Sequence, residues 1–217
     1  MAVIEVKNIS KSFKGKKIFD NASLSVEKGE IFCLVGQSGI GKTVFLKMLA
    51  GFFKPDSGSI FIRTKEKNSI GISMQENSIY GNLTLKQNLF YFARLYNVDR
   101  KTAKEEISRL IKLLSLENFE DTLVKKLSGG TKKRLDIACS LLNNPEVLIL
   151  DEPLLGLDPQ LVSVILRLIL YLNRKGKTII ITSHMIPEIS VVGTRFAVLK
   201  NKKISSIDKS KLKEAYS

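Results

Sequence analysis

Apolar positions in the first third of the chain alternate or run continuously over short stretches, and glycine punctuates them. "AVIEVKNI", "ASLSVEKG", "EIFCLVG", "SGSIFIR" and "IGISMQ" therefore read as β-strands. One helix interrupts them: "KTVFLKMLAG" has helical spacing, with Gly51 placed to end it and Pro55 just beyond. Near residue 77 the period changes. "TLKQNLFYFARLY", preceded by Thr84 as a candidate N-cap, "KTAKEEISRLIKLLSL" and the segment that follows "LSGG" all carry the 3.6-residue repeat. Beyond about residue 143 strands and helices alternate: "EVLILDEP", "QLVSVILRLILYLNRKG", "KTIIITSH", a short helix around "PEISVVG" and a closing hairpin through "RFAVLKNKKISSI". The two apolar runs "VLIL" and "TIII" suit strands covered on both faces, and strand–helix–strand alternation implies a parallel sheet. The expected organisation is an α/β core, residues 1–76 and 144–217, with an inserted helical lobe at 77–143.

Composition narrows the partners more than the fold. Of 217 residues 44% are hydrophobic, enough for a buried core and too many for a mainly disordered chain. The densest apolar segment, "SVILRLILYL", is broken by Arg167 and falls short of the roughly 18 residues that span a bilayer. The N-terminal segment lacks the apolar centre of a secretory signal, so export is not expected and the cytosol is the default. A net charge of +14 raises nucleic acid or an anionic membrane surface as partners. The lysines are nevertheless scattered and have no interleaved aromatics, which favours a solvated basic surface; no nucleic-acid partner is expected. Cys33 and Cys139 lack metal-ligand spacing and read as small buried hydrophobes.

Chemistry concentrates at strand ends. "GQSGIGKT", Gly36 to Thr43, satisfies G-x-x-x-x-G-K-[ST] between an apolar strand and a helix. Its glycines let successive N–H groups converge on phosphate oxygens, Lys42 adds a mobile cation, and the Thr43 hydroxyl can ligate magnesium. "VLILDEP" sets Asp151 and Glu152 at the end of a buried strand, where Asp151 can hold a magnesium shell and Glu152 can deprotonate an attacking water. Gln75 closes "IGISMQ" and His184, the one histidine, closes "KTIIITSH"; parallel strands would bring both to the same edge. His184 then becomes a donor to a terminal phosphate. A second glycine-rich helix start, Ser128, Gly129 and Gly130, needs a separate explanation.

The order of these segments resembles the nucleotide-binding subunit of an ATP-binding cassette transporter, over nearly the whole chain. "GQSGIGKT" is similar to that family's phosphate loop, "SMQE" to its glutamine loop, "LSGGT" to its signature, "VLILDEP" to its magnesium and base motif, "GLDP" to its dimer-contact loop and "TSH" to its switch histidine. The resemblance implies a P-loop NTPase core with a mainly parallel sheet, N-terminal antiparallel strands and an inserted helical subdomain. It implies ATP and Mg2+ as cofactors, with nucleotide contacts from Phe13, Gly36, Gln37, Ser38, Gly39, Ile40, Gly41, Lys42, Thr43 and Val44. Thr43, Gln75 and Asp151 would hold the metal, and Lys42, Gln75, Glu152 and His184 would carry catalysis. Ser128, Gly129 and Gly130 would then cover the γ-phosphate of a second, head-to-tail subunit. "LTLKQNLFYFARLYNV" resembles exporter subunits working under separate integral membrane permease subunits, at the cytoplasmic face. An importer on the same site is a second reading, and a soluble cassette ATPase, for example in cluster assembly, is the alternative.

Three departures stand out. Thr131 ends the signature where the family usually has glutamine, a short hydroxyl in place of the longer amide. Phe13 takes the adenine-stacking slot usually held by tyrosine, with a core phenylalanine as the other reading. The lysine-rich segment after "SGSIFIR" lacks the usual glycine turn.

Overall fold

The computed structural model describes residues 1–13, 15–66 and 69–212. Part of the lysine-rich segment, residues 67 and 68, and the end of the charged tail, 213–217, lie outside the described residues.

Two sheets form. Strands β1 (Ala2–Phe13), β2 (Lys16–Glu27) and β4 (Ser57–Ile62) make an antiparallel sheet in the order β2-β1-β4. The other sheet is six-stranded, in the order β5-β6-β7-β3-β8-β9, from β3 (Ile31–Val35), β5 (Ile70–Ser73), β6 (Val147–Asp151), β7 (Thr178–Ser183), β8 (Arg195–Lys200) and β9 (Lys203–Ile207). Its strands are parallel from β5 to β8, and β9 returns antiparallel as the hairpin partner of β8.

The apolar runs are buried on both faces, as their composition requires. Along β3, Ile31, Cys33 and Val35 point into one core and Phe32 and Leu34 into the other. The first core also takes the helices α2 (Leu85–Leu95), α3 (Arg100–Leu113), α4 (Gly129–Leu141), α5 (Pro159–Arg174) and α6 (Ile186–Val192). The second takes α1 (Lys42–Leu49) and the antiparallel sheet.

Two elements differ from the sequence expectation. The hairpin of β1 and β2 extends through "SKSF" and "KKIF", whose lysines hide the alternation. Register shifts along β1, with Asn8 at a φ of 52°, break the simple period that a pattern search needs. Strand β5 stops at Ser73, so Gln75 sits in the following loop instead of closing the strand.

Helix α2 begins as the sequence indicates: the Thr84 hydroxyl accepts from Gln87 N–H and the Gln87 side chain accepts from Thr84 N–H, a reciprocal capping box. Helix α4 packs on α2 at one side and on β5 and β6 at the other. Gly71 permits that approach, since a Cβ there would stand 2.3 Å from the Ser140 carbonyl oxygen.

Candidate nucleotide site

Because β3, β5, β6 and β7 run parallel, their C-terminal ends share one edge, the place where open α/β sheets gather ligands. Gly36 to Thr43 leaves β3, the Gln75 loop leaves β5, Asp151 ends β6 with Glu152 just beyond it, and His184 follows β7. These segments enclose a cavity of about 170 Å³ whose wall includes Ser38, Lys42, Thr43, Gln75, Glu152 and His184.

The phosphate loop needs its glycines for specific reasons. Gly39 and Gly41 have φ of 75° and 121°, and a Cβ on Gly41 would lie 2.5 Å from an Ile18 methyl. No side chain among the described residues caps the start of α1, so its first N–H groups stay available to an anion. Lys42, 6% exposed, donates to the carbonyls of Gly36 (2.8 Å) and Gln37 (3.2 Å) and pairs with Glu152 at 3.3 Å.

Glu152 holds the centre. It has a φ of 47°, rare for a residue with a side chain, and its N–H donates to the Thr182 carbonyl at 3.1 Å. One carboxylate oxygen lies 3.3 Å from Lys42 Nζ; the other lies 2.9 Å from His184 Nδ1 and accepts from His184 N–H at 3.2 Å. This ties the base candidate to both the cation and the histidine. Thr182, which the sequence reading passed over, donates its hydroxyl to Asp151 Oδ1. In the run "TIIITSH" it reads as one more β-former, and only its burial beside Asp151 marks it.

Asp151 is fully buried, and its Oδ2 has no hydrogen-bond partner among the described residues. A buried carboxylate oxygen left unpaired is costly unless something satisfies it. Thr43 and Gln75 line the cavity, Asp151 does not; a hydroxyl, an amide oxygen and a carboxylate are nevertheless hard oxygen donors, the set that suits Mg2+.

Phe13 does not join the core. It is 36% exposed, meets Phe53 edge to face at 5.3 Å between ring centres, and has Lys11 Nζ 5.3 Å from its own centre. Its ring therefore keeps exposed area, as stacking on a base would require.

Ser128, Gly129 and Gly130 are not in the cavity wall. Ser128 and Gly129 are exposed at the start of α4, whereas Gly130 packs on α5 and the loop before it: a Cβ there would come within 2.9 Å of Leu161 and 3.1 Å of Leu157. Thr131 is buried and supports the serine: its N–H donates to Ser128 Oγ at 3.2 Å, and the two hydroxyl oxygens stand 2.9 Å apart. Arg134 Nη2 donates to Thr131 Oγ1 at 3.1 Å. Ser128 thus caps the helix start, and the Thr131 hydroxyl braces it between Ser128 and Arg134. Cys33 and Cys139 are buried free thiols, and burial pushes Cys33 up to about 12.

The profile of the ABC transporter family matches residues 19–155 of the chain. Among curated relatives, the chain is 35% identical over 212 residues to the spermidine/putrescine import ATP-binding protein PotA of Fusobacterium nucleatum, covering 94% of the chain and 56% of that protein. It is 35% identical over 208 residues to the Nod factor export ATP-binding protein I of Burkholderia orbicola, covering 92% of the chain and 68% of the relative. The chain thus spans between about half and two thirds of the length of these proteins. A solved dimeric ATP-binding cassette in a post-hydrolysis state with ADP and Pi superposes with a TM-score of 0.84 at 26% identity, over 95% of this chain and 98% of that one. The ATP-binding subunit of another ABC transporter gives a TM-score of 0.86 at 24% identity, over 98% and 93%, a likeness of fold. With the phosphate loop, the Asp151–Glu152 pair and the histidine gathered on one sheet edge and the family profile covering most of the chain, the protein belongs to the ABC transporter family as an ATP-binding cassette.

Proposed function

We propose that the chain binds and hydrolyses ATP in a head-to-tail pair and that this cycle drives a transporter's separate membrane subunits. The observation that carries the reading is the split of one phosphate-binding apparatus. Lys42, Glu152 and His184 converge within 3.3 Å contacts, while Ser128 and Gly129 face solvent elsewhere on the same chain. A second copy arriving head to tail would bring its Ser128, Gly129 and Gly130 over the nucleotide held by the first. Here the second glycine pair finds its use.

In the cycle, the first N–H groups of α1 and Lys42 bind the β- and γ-phosphates, Lys42 exchanging carbonyl partners for phosphate oxygens. Thr43, Gln75 and Asp151 would hold Mg2+, which would supply neutralisation of the phosphate charge. Glu152 orients a water and takes its proton; His184, bonded to Glu152, donates toward the γ-phosphate. Phe13 stacks on the base, with Gly36, Gln37, Ser38, Gly39, Ile40, Gly41 and Val44 shaping the phosphate cradle. The lobe at 77–143 is the part that moves when the pair closes. Hydrolysis then removes the shared ligand and the pair separates.

Transport in the export direction is favoured by relatives named for Nod factor export. A relative named for polyamine import supports the second reading, an importer built on the same site. No helix among the described residues is long and apolar enough to cross a membrane; in this reading the cassette sits at the cytoplasmic face, beneath separate membrane subunits.

Magnesium-dependent ATP turnover by the purified chain tests the chemistry. Glu152→Gln should keep nucleotide binding and lose about 100-fold or more of kcat, the range expected for a missing general base. Turnover at the parent rate would refute the role of Glu152. The same variant, loaded with ATP and used as bait in detergent-solubilised membranes, should recover an integral membrane protein. Recovery of soluble partners alone would favour a cassette ATPase without a permease.

A further inference from the structure

Of the three buried charged residues on helix α4, Lys133, Arg134 and Asp136, two stand one turn apart on the side of the Gln75 loop: Lys133 and Asp136, exposed by 7% and 4%. Surface reading of "TKKRLD" would leave both in solvent. Instead each reaches across to the segment that holds Gln75. Lys133 Nζ donates to the Met74 carbonyl at 2.6 Å and to the Asp151 carbonyl at 3.3 Å. Asp136 accepts from the Ser73 hydroxyl at 2.5 Å and from Ser78 N–H at 3.0 Å. The glutamine loop is thus gripped at both ends, Ser73 and Ser78, and next to Gln75 itself, by side chains of the helix that begins at Ser128.

Burial drives Lys133 down and Asp136 up from their ordinary ranges, so each charge is held against desolvation by these bonds. Charged groups in hydrogen bonds this well buried are costly to separate from their partners. A displacement of Met74 or of the end of β6 would therefore pull on α4, and the reverse.

We propose that Lys133 and Asp136 are positioning residues that couple the chain's own nucleotide site, through the Gln75 loop and Asp151, to the Ser128–Gly130 helix start it offers to a partner. The inference rests on the nucleotide-site reading above. Neither residue touches the phosphates; both act through the loop backbone. Their effect is to make binding in one site and presentation of the other a single event.

Hydrogen exchange of the full chain with Mg2+ and the β,γ-imido analogue of ATP separates the possibilities. In the parent, nucleotide should slow exchange at 36–44, at 73–78 and at the start of α4 together. Lys133→Met should bind the analogue with similar affinity and retain protection at 36–44, yet lose the nucleotide-dependent protection of α4 by about tenfold or more, the loss expected for a buried charged hydrogen bond. Lys133→Gln, which keeps a donor, should restore part of it. Ser73→Ala removes one bond of the grip with little change in volume and serves if Lys133→Met does not fold; it should weaken α4 protection in the same sense. A merely structural role would lower the melting temperature without dividing the two protected regions. Unchanged α4 protection in a folded Lys133→Met or Ser73→Ala protein, or no α4 protection in the parent, overturns the coupling. Absence of protection at 36–44 in the parent overturns the nucleotide-site reading itself.

Discussion

Glu152 is held by a set of contacts that its own backbone opposes. A left-handed φ on a non-glycine residue costs about 1–3 kcal/mol, and Glu152 retains it through bonds to Thr182, His184 and Lys42. Thr182 supports both carboxylate residues, donating to Asp151 and accepting from Glu152 N–H. Thr182→Val keeps the volume and removes the hydroxyl; it should lower stability by about 1–3 kcal/mol in urea denaturation, since Asp151 then loses its partner. Thr182→Ser should recover most of that loss. At the signature, Thr131→Val should cost about 1 kcal/mol through the lost hydroxyl contacts with Ser128 and Arg134, again read by urea denaturation. The two thiols are buried and burial pushes both upward, so neither Cys33 nor Cys139 should react with a thiol reagent until the protein unfolds. Mass spectrometry across a denaturant series would show modification only past the transition. Lys42, Asp151, Glu152 and His184 were legible because a strand end and a fixed spacing announce them. Thr182, Lys133 and Asp136 were not, because residue type alone cannot reveal that a threonine, lysine or aspartate is buried against another segment's backbone.

At the scale of elements, helix starts were written plainly and strand ends were not. The Thr84–Gln87 pair follows the reciprocal capping pattern, and Thr84→Ala should destabilise the helical lobe by about 1 kcal/mol in a thermal or urea melt. The fully buried runs in β6 and β7 gave their strands directly, since five and six consecutive buried residues leave no polar face to find. The β1–β2 hairpin was only half visible, because lysines along it face solvent in a strand whose register shifts. The docking of α4 on β5 was invisible, since it depends on a glycine that merely looks like a β-strand weakness. Gly71→Ala should push α4 off the sheet, costing about 1–3 kcal/mol of stability as overpacking does.

For the whole molecule, the fold gathers the proposed phosphate-binding residues Lys42, Glu152 and His184 at one sheet edge and leaves a second, exposed helix start on α4. A single copy cannot use both for the same nucleotide if the second copy is to close over it, and the symmetry of a head-to-tail pair uses both twice. Mixing two disabled proteins tests this directly. Lys42→Ala retains Ser128 and Gly129 but not the phosphate grip; Ser128→Arg retains the grip but blocks the face. Each alone should be inactive, and an equimolar mixture should regain ATP turnover, because the mixed pair contains one site with an intact Lys42 from one copy and an intact Ser128 from the other. Turnover in the mixture no greater than the sum of the two separate proteins, with both folded and mixed pairs formed, would contradict the shared site.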